Sequence, residues 1–262
     1  MKTAILLIAL MVPAFSAQVE PVSLGATQYN GQMFTSQKVA REIMGKNYFG
    51  VEDAIKHFKI NLSKEEIAGL SEVPFSEVTL KKCAKTHILV AVFPLSILEI
   101  REGVERGLFK YHDHENAWYN NQAFAGDRGE ASWYLVRKTE VPNSTNKNWS
   151  EQLALLGENE DAPSFSVDSS DSTLKNAGEQ QSTIGRNEEV PSARVMVYTI
   201  IGYYLNNDER LFRRMFVHVT DVGPGGNHLL ISFDYDGLNI SGIWDDYRFR
   251  WIGLAGVHRK FQ

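Results

Sequence analysis

The sequence predicts an α+β fold: helices first, then an antiparallel sheet with one helix inserted. Three observations predict it. The first hundred residues divide into short apolar-periodic runs, several opened by a capping Ser and closed by Gly or Pro. Runs rich in β-branched and aromatic residues dominate after residue 130. Near the end, "HLLISFD" and "LNISGIW" flank Tyr235-Asp236-Gly237, where Asp-Gly supplies the positive φ of a tight hairpin turn.

In chain order, residues 18–34 carry Gly, Gln and Pro without a period and read as a tether. "SQKVAREIMG" is a helix capped by Ser36 and stopped at Gly45. "VEDAIKHF" puts Val51, Ile55 and Phe58 on one face. "SKEEIAGL" opens with Ser63 and Glu66, a capping box. "SEVTLKKCAK" follows Pro74 with Ser76 as its cap. "HILVAVF" (87–93) is short and β-branched, hence a buried strand, and Pro94 ends it. "LSILEIREGVERGLF" returns to helical spacing. A mostly helical region therefore spans 35–110.

From 111 to 262 the character changes. "SWYLVRK" is a strand and "NKNWSEQLALLG" an amphipathic helix closed by Gly157. Residues 157–190 hold Ser, Glu, Asp and Asn with little aromatic content, and cannot bury enough apolar area to offset the entropy of ordering. They read as a disordered insertion. "ARVMVYTIIGYYL" and "LFRRMFVHVT" read as strands joined by "NNDER", and "WIGLAGVH" as a final strand.

The 262 residues, 43% hydrophobic and 23% charged, suit one large or two small domains. A net charge of −5 and the absence of any basic run argue against nucleic acid as a partner. "MKTAILLIALMVPAFSAQ" has a basic residue, a short apolar run and small residues at Ala14-Phe15-Ser16; residues 1–17 are expected to be a signal peptide. Export or a cell-surface location follows, or a cytoplasmic one if translation starts at Met33. No run reaches transmembrane length. The single Cys83 excludes an intramolecular disulfide and a cysteine-rich zinc site. With His87 four residues on it reads as a packed core thiol.

Strand alternation divides the last hairpin into two faces. Leu229, Ile231 and Phe233, with Leu238, Ile240 and Trp244, form the core side. The other side carries His228, Leu230, Ser232, Asn239, Ser241 and Ile243, and continues into Tyr247, Phe249 and Trp251 alternating with Arg248 and Arg250. Such a mixture of rigid rings and polar groups suits recognition of a protein or glycan ligand. The competing reading tucks half of those rings beneath the insertion.

The series "SWYLVRK", "NWSEQLALL", "FVHVTD", "LLISFDYDGLNIS" and "WIGLAGVHRK", over roughly residues 116–260, resembles the C-type-lectin-like fold. Its layout is similar to the branch of formylglycine-generating-enzyme-like domains and diversity-generating retroelement variable proteins. The whole chain also resembles bacterial proteins that share the helical first half. In the variable proteins the diversified residues lie near the C-terminus on the ligand face. The resemblance thus implies a ligand-binding role for His228, Leu230, Ser232, Tyr235, Asn239, Ser241, Ile243, Tyr247, Phe249 and Trp251. Phe233, Gly237, Leu238, Trp244, Gly253 and Leu254 would be scaffold.

Two implications of that family do not carry over. The paired cysteines of the formylglycine-generating enzymes are missing, since Cys83 lies outside the matched span. The calcium-lectin motifs are only approximated, by Trp244-Asp245-Asp246 and Val141-Pro142-Asn143, with Glu140, Asn143, Asp245 and Asp246 as the oxygen ligands of that alternative. His112, Asp113 and His114 offer a two-histidine metal pair without a third ligand. "GPGG" at 223 precedes a strand, the wrong context for a phosphate cradle. A non-enzymatic binding module without cofactor or metal is expected. A calcium-dependent lectin or metal-dependent enzyme on the same scaffold is the alternative.

Overall fold

Local capping sets the first half. In the computed structural model, which describes residues 26–29, 32–110, 116–156 and 188–259, Ser36, Ser63, Ser76 and Ser96 each accept a backbone N–H from the first turn of a helix. The helices they open are α1 (Gln37–Met44), α3 (Lys64–Gly69), α4 (Glu77–Cys83) and α5 (Ile97–Gly103). Between the first two lies α2 (Val51–Phe58), closed by Lys59 at a left-handed φ of 54°. Val51 and Phe58 are buried as expected, whereas Ile55 is 40% exposed and belongs to the outer face. Among the described residues the remaining α-helices are α6 (Ala123–Gly126), α7 (Trp149–Leu153) and α8 (Ala193–Asn207).

Three sheets complete the α+β architecture. The first joins β1 (Ala26–Tyr29), β2 (Gln32–Ser36) and β4 (Glu72–Val73), all antiparallel. Part of the segment read as a tether is therefore a hairpin, because β4 gives β2 a partner some forty residues away. The central sheet has the order β11-β6-β5-β3, with β3 (Tyr48–Phe49), β5 (His87–Val92), β6 (Ser132–Arg137) and β11 (Val257–Arg259). The third has the order β10-β7-β8-β9, with β7 (Phe216–Val222), β8 (His228–Asp234), β9 (Gly237–Gly242) and β10 (Ile252–Leu254). β10 joins β7 in parallel, and β11 leaves for the central sheet, so "WIGLAGVH" is two strands in two sheets.

The main correction concerns "ARVMVYTIIGYYL", which forms α8 rather than a strand. No hairpin joins it to "LFRRMFVHVT"; β7 begins only at Phe216. Ser192 caps α8, and Asp208 closes it at φ 54°. The helix packs against α2, α5 and β5 on one side and β7 and β8 on another. Wedged between sheets, residues 193–203 are buried all round, so the chain there carries no polar stripe to betray the helical period. β-branched Val195, Val197, Ile200 and Ile201 lower helix propensity, yet burying each side chain contributes about 1.5–3 kcal/mol and outweighs that preference.

β5 pairs with β6 along its whole length, from His87 opposite Arg137 to Val92 opposite Ser132. This pairing crosses the division drawn at residue 110, and one hydrophobic core runs through both parts. Residues 188–190, read as the end of the insertion, are also ordered: Glu189 bridges Val257, and Glu188 and Val190 are buried. The rest of the insertion, the leader, and His112, Asp113 and His114 lie outside the described residues. Among the described residues no helix is long and apolar enough to cross a membrane.

Candidate binding face

The β8–β9 hairpin is built as its alternation dictates. Leu229, Ile231 and Phe233 face Leu238 and Ile240 in the core, all 2% exposed or less. Gly237 turns at φ 110°, and a Cβ there would come within 2.7 Å of Lys110 N, so no other residue fits the close approach. Phe233, Leu238, Gly253 and Leu254 are likewise enclosed. Trp244 is not: expected on the core side, it is 59% exposed. β9 ends at Gly242, two residues earlier, so strand alternation no longer governs it.

The opposite face is partly roofed by α7. Asn148 caps this helix and shares a capping box with Glu151. Gln152 reaches down to take the Nδ1–H of His218 at 2.7 Å, and donates to the Ser144 carbonyl at 2.9 Å. Trp149 stacks on His228, with centroids 3.8 Å apart, and stands edge-on to His218. His218 is the ladder partner of Leu230. Leu230 and Ser232, expected on a ligand face, are 4% and 5% exposed and are closed to a ligand in this conformation. Burial first, and the neighbouring His228 second, hold His218 down to about 4; its Nε2 is buried without a hydrogen-bond partner among the described residues.

Beyond β9 the chain runs over α7 as a loop, and its backbone is tied down at close intervals. Trp149 N–H donates to the Asp245 carbonyl at 2.9 Å, Asn146 N–H to Phe249 at 3.0 Å, and Phe216 N–H to Trp251 at 2.8 Å. Asp245 also accepts from the His228 backbone N–H at 3.2 Å and from its Nδ1 at 2.9 Å. Arg248 grips Glu151 through two bonds of 2.9 and 3.0 Å. That fork, with the Asn148 backbone N–H, holds the Glu151 carboxyl down at about 2.

With the backbone fixed, the alternating side chains stand outward. Tyr247, Phe249 and Trp251 form a ladder with centroids 5.8 and 4.9 Å apart and planes tilted by 19° and 22°. Tyr247 is 49% and Trp251 44% exposed, while Phe249 between them is half-buried. Trp244, Asp245, Asp246, Tyr247 and Gly226 line an open depression of about 380 Å³ beside the ladder. Asn239, Ser241 and Ile243 are half-buried. Tyr235, at the hairpin tip, is exposed beneath Arg213, whose guanidinium lies 4.2 Å from the ring.

Of the ten expected residues, the structure thus brings Tyr247, Phe249, Trp251 and His228 around α7, and holds Tyr235 apart at the hairpin tip. Trp149 and Trp244 join the face without having been expected there. The sequence marked Trp149 only as the ring near the start of the helix in "NWSEQLALL". Of the residues of the calcium alternative, Asp245 is bonded to His228, and Glu140, Asp245 and Asp246 do not form a three-carboxylate cluster among the described residues. No family model, curated protein or solved structure matches this chain.

Proposed function

We propose that the chain is a non-enzymatic binding module that holds a protein or glycan ligand on the loop 244–251 and the adjoining hairpin. The observation that carries this reading is the separation of roles in that loop. Its backbone is bonded to Asn146, Trp149 and Phe216, while Trp244, Tyr247 and Trp251 face water. Rigid exposed rings offer contact area at little entropic cost, and exposed clusters of them mark interaction surfaces. Asp246, Arg248 and Arg250 interleave charge with the rings.

The same separation fits a diversified recognition protein on a C-type-lectin-like scaffold, the family the sequence pattern resembles. Side chains that contribute nothing to the loop's backbone bonds can be exchanged without loss of the fold. In this reading the protein is exported and meets its ligand outside the cell. The test is sequencing of the locus across sibling cells, with a search nearby for a near-copy of the codons for residues 227–251. The expected result is substitution confined to adenines of the copy and concentrated at Tyr235, Asn239, Ser241, Tyr247, Phe249 and Trp251. An invariant locus without a copy overturns the diversification and leaves a fixed ligand for the ladder.

A further inference from the structure

Away from the binding face, four side chains from three distant parts of the chain converge. Cys83 ends α4, and His87 opens β5 four residues later. His258 lies in β11, two strands across the central sheet. Glu188 arrives on the segment that bridges Val257. Cys83 Sγ and one ring nitrogen of each histidine all lie within 4.8 Å of one another. Glu188 Oε1 stands 2.9 Å from His87 Nε2 and 3.4 Å from His258 Nε2. The two rings are 5.2 Å apart and tilted by 34°.

Three readings compete for this cluster. As a hydrogen-bonded network it is already sound, since Glu188 also accepts from Arg137 Nε at 2.8 Å, and His87 Nδ1 meets the Thr86 hydroxyl at 2.8 Å. That accounts for Glu188, Arg137 and His87, and for His258 through its 3.4 Å contact with Glu188, and leaves unexplained why the Cys83 sulfur should turn to the same point. A nucleophilic cysteine is the second reading. Cys83 is 6% exposed, however, and burial first and Glu188 second push its thiol up to about 11, the opposite of an activated thiolate. A closed metal centre is the third, and it uses every member.

We propose that Cys83, His87, His258 and Glu188 form a structural zinc site, with Arg137 positioning the carboxylate. One sulfur, two imidazoles and one carboxylate are a donor set that Zn²⁺ accepts in tetrahedral geometry. Bonds of about 2.0–2.3 Å place tetrahedral ligand atoms about 3.3–3.8 Å apart. The carboxylate–imidazole separations of 2.9 and 3.4 Å are close to that spacing; the group within 4.8 Å of one another is Cys83, His87 and His258, so Glu188 and the sulfur have to draw together for the carboxylate to complete the set. Thr86 and Arg137 supply the outer hydrogen bonds that orient such ligands. The Arg137 charge works against a cation, which places the affinity below that of a site with more thiolates. The ion would tie β11 to α4 and to the segment at residue 188.

Cobalt(II) serves as the probe, titrated under reducing conditions into full-length protein stripped with chelator. The expected result is about one equivalent bound, with a thiolate-to-cobalt charge-transfer band and the intense visible bands of tetrahedral Co²⁺, displaced by Zn²⁺. Cys83→Ser loses the charge-transfer band, and His258→Gln, on the partly exposed member, weakens the visible bands while its circular dichroism stays native. Zinc at a hundredfold excess over Kd raises the wild-type Tm by about 5 °C or more and leaves that of Cys83→Ser unmoved. A folded wild-type protein without the band overturns the site. So does a zinc response that survives both substitutions, which would place the metal elsewhere in the chain.

Discussion

The surroundings of Glu188 and the loop 244–251 both concentrate rings and charges, and they are organised in opposite ways. At Glu188 side chains hold side chains: His87 and Arg137 each spend a hydrogen bond on one fully buried carboxylate. Burial acts to raise that carboxyl, and the bonds from His87 and Arg137 overcome it and leave it lowered. At 244–251 the backbone is held and the rings of Trp244, Tyr247 and Trp251 stand in solvent, while Asp245 and Arg248 are bonded through their side chains, to His228 and Glu151. A region of the first kind tolerates almost no exchange, because each removal strands a partner away from water. In a region of the second kind the exposed ring positions tolerate exchange.

The comparison breaks most visibly if Glu188→Gln proves mild. In metal-free protein this change leaves the Arg137 guanidinium buried without its anion, and is expected to cost about 3–5 kcal/mol in urea unfolding. A cost below about 1 kcal/mol would mean that water reaches the cluster.

Next in size is a pH effect from His218, between the two regions. Its folded-state value of about 4 lies below the usual 6.5, so the unfolded chain binds the proton more readily. Its contribution is therefore complete above pH 6.5 and is lost as pH falls toward 4, about 3 kcal/mol in all. His87, lowered first by burial, adds to the wild-type slope. The informative quantity is thus the difference between wild type and His218→Gln, which should be the shallower of the two across that window.

The smallest effect is expected where function is placed. Tyr247→Ser and Trp251→Ser should each change stability by no more than about 0.5 kcal/mol. Melting curves superimposable on wild type sharpen the contrast with Glu188. A loss of several kilocalories would show the ladder to be a core in disguise.

How far the sequence could be read depended on the range of the interactions. Helices opened by Ser36, Ser63 and Ser76 were legible because a cap and its partner lie three residues apart. The β8–β9 hairpin was legible because Asp236-Gly237 and the alternation around it are local too. The run 193–205 was misread because burial on every side erases the periodicity by which helices are recognised. The face of the last hairpin was half legible. Alternation separates Leu229 from Leu230, yet only the tertiary fold decides that Leu230 and Ser232 are covered while Tyr247 and Trp251 are not.

By itself, then, the sequence determined the α+β class, the capped helices and the alternation of rings with charges from Tyr247 to Trp251. Tertiary structure alone decided that α8 lies between two sheets, and that Cys83, His87, Glu188 and His258 meet. The physical reason is sequence separation: a cap or turn acts within a few residues, whereas His87 and Glu188 stand 101 positions apart and are neighbours only after the core has closed around them.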